Sequence, residues 1–187
     1  AVGSLETRAR DNGDVGVFAD DAVEVFLSAA REGMPCLQLG VTPANFAAAL
    51  LWGKGNGSPV RQTGWQGTYR TATRTGEGEW TVELALPFTD LGAQAPGPGD
   101  LWRWNVCRDR RAGAGLQYSS MCFVTGGFLS PPEYGELLFA DGQQRPVPED
   151  EAELNRDFLQ WVRPRVAEFA GRIGRELRFV AGASEDA

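Results

Sequence analysis

From about residue 20 to residue 140, short alternating or apolar runs are separated by Gly, Pro, Asn and Asp. Punctuation at this spacing restricts the region to short strands, the pattern of an antiparallel β-sandwich. The runs that read as strands are Ala22 to Leu27, Cys36 to Val41, Thr68 to Arg74, Trp80 to Leu86, Leu101 to Arg108, Gln117 to Val124 and Gly135 to Phe139. Gly76-Glu77-Gly78-Glu79 supplies a hairpin turn, because glycine tolerates positive φ. Ala95 to Asp100 forms an extended turn, and Pro131-Pro132 ends another segment. Alternation assigns the faces. Trp80, Val82, Leu84 and Leu86 should point into the core, as should Trp102, Trp104 and Val106, with Arg103, Asn105 and Cys107 opposite them. Large rings at alternate strand positions usually fill a sandwich rather than hold a ligand.

The first of these strands is the most informative about function. In Asp20-Asp21-Ala22-Val23-Glu24-Val25-Phe26-Leu27, the residues Val23, Val25 and Leu27 form one apolar face expected to be core. The alternate face carries Ala22, Glu24 and Phe26, so a carboxylate and an aromatic ring share one sheet surface. Phe18 precedes the two aspartates at the strand entrance. A carboxylate beside an apolar ring suits a ligand with hydroxyls on its rim and C–H bonds on its face, which describes a sugar. An edge strand with a solvated glutamate fits the same residues.

Composition removes several classes of function. A net charge of −7 argues against nucleic acid and anionic membrane surfaces, which reward clustered positive charge. No apolar run is long enough to span a bilayer. Histidine is absent, which excludes Ser-His-Asp and Cys-His catalysis, His-ligated haem and the usual His-based zinc sites. The three cysteines, Cys36, Cys107 and Cys122, are too scattered for a metal site. Cys107 and Cys122 fall in neighbouring strands, so a bridge and three buried free thiols are both open. The chain begins at Ala1 without Met or a targeting pattern, and is expected to be a mature form or a segment of something longer.

After Pro146 and Pro148 the pattern changes. Glu149-Asp150-Glu151 favours a helix start, and Leu154, Phe158, Trp161, Val162, Val166, Phe169, Ile173 and Leu177 then recur at helical spacing. Pro164 should kink this helix, and its apolar stripe should pack on protein. The expected organisation is an all-β antiparallel β-sandwich of jelly-roll or immunoglobulin-like type over residues 1–142, then a linker, an amphipathic α-helix and a flexible tail over 143–187.

Four segments in order carry a family resemblance. They are Asp20 to Leu27, Glu79 to Gly92 (Glu-Trp-Thr-Val-Glu-Leu-Ala-Leu-Pro-Phe-x-x-Leu-Gly), Trp102 to Arg108 (Trp-Arg-Trp-Asn-Val-Cys-Arg) and Phe128 to Leu137. Over about residues 15 to 140 the chain resembles the family 9 carbohydrate-binding modules and their DOMON-like relatives, sandwiches attached to secreted bacterial glycan-active proteins. The resemblance implies a clamp of two aromatic rings at Phe18 and Phe128, where the family typically has tryptophans. It places the motif acid on Glu24 and the strand-two polar position on Gln38, with Gly40 where the family has Asn. The polar position after the Trp-Asn pair falls on Cys107 or Arg108, and Asn105 joins the set by alternating away from Trp102 and Trp104. The family opens with several strands that have no counterpart in the roughly twenty residues before Asp20, so the chain is expected to be a segment lacking them.

The expected function is a non-catalytic carbohydrate-binding module, secreted or at the cell surface or in the periplasm, contacting a saccharide through Phe18, Glu24, Gln38, Asn105, Arg108 and Phe128. No cofactor is expected; the resembling modules bind calcium, for which Asp11, Asp14, Asp20 and Asp21, foremost the last two, offer oxygen ligands, although no loop has a calcium-site spacing. Neighbouring domains are expected partners of the C-terminal helix; nucleic acid and membrane are not. The alternative is a structural or interaction sandwich with no sugar site. A haem domain would have only Met34 and Met121 as axial ligands. A glycosidase would need Glu24 paired with Asp21 or Glu83, and Glu83 is more plainly the partner of Arg108 or Arg103.

Overall fold

The computed structural model describes residues 5–111 and 115–139. Its strands are β1 (Ala22–Ser28), β2 (Cys36–Val41), β3 (Ala47–Gly53), β4 (Val60–Arg61), β5 (Arg70–Thr75), β6 (Trp80–Ala85), β7 (Leu101–Arg110), β8 (Gln117–Ser120) and β9 (Gly135–Leu138). The helical segments among the described residues are 3-10 turns at Val15–Ala19, Phe88–Leu91 and Pro131–Glu133. The C-terminal helix expected over about residues 150–180 lies outside the described residues.

All strand pairs are antiparallel, and they form two sheets. The larger runs β4-β3-β2-β1-β7-β8, with β9 also paired to β7. β8 and β9 share one edge of β7: Gln117 to Ser120 lie along Arg110 to Cys107, and Gly135 to Leu138 along Trp104 to Leu101. The smaller sheet is the β5–β6 hairpin.

The core between the sheets follows from alternation in β2. Leu37, Leu39 and Val41 point one way and are fully buried with Ala47, Leu91 and Trp102. Val82 of β6, with Leu86 and Tyr69 beside the hairpin, packs against them. Each such side chain removed from water contributes on the order of 1.5–3 kcal/mol.

The opposite face of the large sheet is the more enclosed one at its centre. In β1 it is Ala22, Glu24, Phe26 and Ser28 that are buried, while Val23, Val25 and Leu27 are only half-buried. The expected assignment of core and ligand faces is therefore reversed in degree. Two covers explain the reversal. Residues 5–19 lie across one part, where Ala9 and Val17 pack on Ala22 and Ala48. The stretch 121–134 lies across another, where Tyr134 joins Phe26, Cys36 and Cys107, with Phe128 and Leu129 at the margin.

Asp20 and Asp21 fasten the first cover. Asp20 Oδ2 accepts the amide N–H groups of Arg8 and Ala9, both at 2.8 Å. Asp21 accepts from the amides of Glu6 and Arg111. These are two aspartates used as backbone anchors, and no group of three or more potential ligands among the described residues could hold a metal ion.

Other departures have local causes. β3 was not foreseen, because Ala47-Ala48-Ala49-Leu50-Leu51-Trp52 shows no alternation. β8 ends at Ser120, four residues short of the expected Val124, and the chain beyond becomes a loop. Leu84 is exposed rather than core. Arg103 pairs with Glu136 at 3.2 Å, and not with Glu83. All three cysteines are free and buried.

Candidate functional site

The enclosed face opens into a cleft of about 660 Å³ lined by Phe18, Glu24, Asp109, Tyr118, Ser120 and Phe128, with residues 122–124, 126 and 127 along its rim. Such a volume is ordinary for a small-molecule site. Four chain segments build it. The first is the 3-10 turn Val15–Ala19, capped by Asp14, whose Oδ1 accepts the Gly16 amide at 2.8 Å. That turn sets Phe18 over the sheet above Gly40, where an added Cβ would stand 2.7 Å from Phe18 Cε1 and 2.9 Å from Val17 Cγ1. The missing side chain at Gly40 thus makes room for a ring.

β1 and β7 supply the floor. Their register pairs Ala22 with Asp109, Glu24 with Cys107 and Phe26 with Asn105, so Glu24 and Asp109 are diagonal neighbours on one face. A donor chain fixes Glu24. The Trp52 indole N–H donates to Gln38 Oε1 at 2.8 Å, and Gln38 Nε2 donates to Glu24 Oε2 at 2.6 Å. Because indole can only donate, it settles which end of the Gln38 amide faces Glu24. That leaves Glu24 Oε1 for its carboxyl neighbour.

Glu24 and Asp109 are 4% and 2% exposed. Neither oxygen of Asp109 receives a hydrogen bond from an N–H or hydroxyl among the described residues. Ion pairs among the described residues join Arg8 to Glu6 and Arg103 to Glu136, and none reaches either floor carboxyl. Burial first, then the hydrogen bond and charge of Asp109, push Glu24 up from 4.5 to about 8. Asp109 is also raised, mainly by burial, with Arg111 opposing. Two buried carboxyls in contact hold one proton between them at neutral pH, because two adjacent charges in a poorly solvated site repel. Burial likewise lifts the thiols of Cys36 and Cys107 to about 12, so both stay neutral.

The remaining wall comes from β8 and the loop after it. Glu133 gathers that loop, accepting from the Thr125 amide at 2.9 Å, the Thr125 hydroxyl at 2.6 Å and the Ser130 hydroxyl at 2.7 Å. The buried Tyr134 hydroxyl donates to the Phe128 carbonyl at 2.7 Å. Phe128 meets Tyr118 edge-on at 5.5 Å between ring centroids and Phe26 at 6.5 Å.

Of the residues singled out in the sequence, Phe18, Glu24 and Phe128 meet in the cleft. Gln38 stands one step back, positioning Glu24. Asn105 is fully buried and holds the β7–β8 junction, exchanging hydrogen bonds with Ser120 and accepting the Cys122 amide at 3.0 Å. Arg108 is exposed and alternates away from Cys107 and Asp109, so it points from the other face. Asp109 was missed, as were Tyr118 and Ser120. Its signal was available: continuing the Arg103, Asn105, Cys107 alternation by one step puts Asp109 on the same face.

No protein-family model matches the chain, and no curated protein matches it. Among solved structures, the chain is similar to one from Bacteroides uniformis described as a candidate carbohydrate-binding protein. The match has a TM-score of 0.55 and 18% sequence identity, and covers 72% of this chain and 67% of that one. At this identity the likeness concerns the fold.

Proposed function

We propose that the chain is a non-catalytic carbohydrate-binding module that holds a sugar or a glycan end in the cleft over β1 and β7. The observation that carries this reading is the meeting of Phe18, Glu24 and Phe128, from three separate segments, in one open concavity. Rings there supply an apolar surface for the C–H face of a pyranose, and the floor carboxyls supply partners for its hydroxyls. The resemblance to family 9 modules supports the reading, as does the description of the Bacteroides uniformis neighbour. A module of this kind belongs with secreted, surface or periplasmic glycan-active proteins.

Stacking on phenyl rings with two or three hydrogen bonds gives weak binding, on the order of 0.1–1 mM. Calorimetric or NMR titration with mono- and oligosaccharides, parent protein against Phe128→Ala, tests it. A loss of affinity in the variant is expected; equal binding by both proteins would remove Phe128 from the site, and no binding to any saccharide would remove the function.

A further inference from the structure

The cleft floor presents more acceptor capacity than a neutral sugar needs. Glu24 and Asp109 face each other with one side of the pair tied to Gln38, and apart from their contact with each other no N–H or hydroxyl among the described residues donates to either Asp109 oxygen. A buried acceptor left in this state costs free energy, which a ligand able to donate to it recovers. Arg111 favours the charged form of both carboxyls through space but donates to neither. Arg111 spends its backbone N–H on Asp21 at 2.8 Å and directs Nη2 at the Phe18 carbonyl, 3.5 Å away, and it makes no ion pair with either floor carboxyl. The thiol of Cys107, opposite Glu24, stays neutral, and Asp21 adds negative charge nearby.

The aromatic lining complements this floor. Phe18, Tyr118, Phe123 and Phe128 line the same cleft as the carboxyl pair, and aromatic rings attract a cation as carboxylates do. We infer that the ligand of this cleft is a saccharide with a free, unacylated amine, whose ammonium group docks between Glu24 and Asp109. An ammonium is donor-only with three N–H groups, so it satisfies both carboxyls at once and balances their negative charge. A hydroxyl at the same spot brings one donor and no charge. An N-acetyl group brings one N–H and a methyl group into an acidic floor. This inference rests on the saccharide reading above and specifies its class.

The experiment titrates the full chain at neutral pH and low salt with six probes: glucosamine and chitosan trisaccharide, and for each of them its glucose and its N-acetylglucosamine counterpart. The amines are expected to bind at least about tenfold more tightly than the matching neutral sugars, the gain from one charge-assisted contact. Asp109→Asn should collapse that ratio towards one, and Glu24→Gln provides the same reading independently should the first variant fold poorly. Neutral sugars binding as well as the amines would overturn the inference and leave the saccharide function standing. A ratio unchanged in folded Asp109→Asn or Glu24→Gln would overturn it too. Binding by none of the probes would remove both.

Discussion

Glu24 keeps its proton in the folded chain to about pH 8, whereas an ordinary glutamate loses it near 4.5. The sign of the consequence is fixed: between those values the folded state binds more protons than the unfolded one, so stability falls as pH rises through the window and levels above it. We expect the difference in urea midpoint between Glu24→Gln and the parent to grow in the variant's favour from pH 5 to pH 8. A difference that shrinks over that range would contradict the shared-proton pair. Gly40 makes a second prediction at this scale. Its Cβ position lies 2.7 Å from Phe18 Cε1, so Gly40→Ala should cost about 1–3 kcal/mol by overpacking and displace the ring from the cleft. Chemical denaturation reads the first effect, and weakened saccharide binding the second. At the level of single residues, Phe18, Glu24 and Phe128 were legible because the motif order placed them. Asp109 was not, because the β7 strand was ended at Arg108, one residue before it. Asn105 was legible by face but not by role: alternation shows which way a side chain points, and not that its amide is consumed by Ser120 and Cys122.

Among elements, the alternating strands were readable and the uniform one was not. β2 matches the sequence reading from Cys36 to Val41, since Leu37, Leu39 and Val41 alternate with Gln38 and Gly40. β3 was missed because its alanines and leucines suit a helix as well as a strand, and pairing with β2 rather than local propensity decides the outcome. The early end of β8 shapes the cleft. Residues 122–130 leave the ladder and become a wall of the cleft, with Thr125 and Ser130 held by the carboxylate of Glu133 rather than by strand pairing. Glu133→Ala should therefore loosen the wall without unfolding the sheet. Amide exchange in 122–130 is expected to accelerate while exchange in β1 and β2 is unchanged, and saccharide affinity should fall several-fold. Equal protection of the loop in parent and variant would show that another contact holds it.

At the scale of the described molecule, the two sheets are unequal. The larger has β1 and β2 paired on both sides, and β7 flanked by β1 on one edge and by β8 and β9 on the other. The smaller has two strands, each with an unpaired edge, and the burial along them is partial at best: Thr71 and Thr73 in β5, Trp80 and Val82 in β6. Its attachment rests on Val82, Tyr69 and Leu86 against the β2 face, with side-chain hydrogen bonds from Thr71 to Asn45 at 2.9 Å and from Thr73 to the Pro43 carbonyl at 3.0 Å. A two-stranded hairpin is marginal in water without such support, so its opening free energy must lie well below that of the large sheet. The cleft sits on the far face of that sheet, and its floor strands β1 and β7 do not depend on hairpin pairing. Native-state hydrogen exchange should therefore show two levels, with ladder amides of β5 and β6 exchanging through local opening while those of β1, β2 and β7 wait for global unfolding. Saturating saccharide should raise protection around β1, β7 and residues 122–130 and leave the hairpin level where it was. A hairpin that exchanged only with the large sheet would mean the two layers open as one unit, and the separation of site from hairpin would be lost.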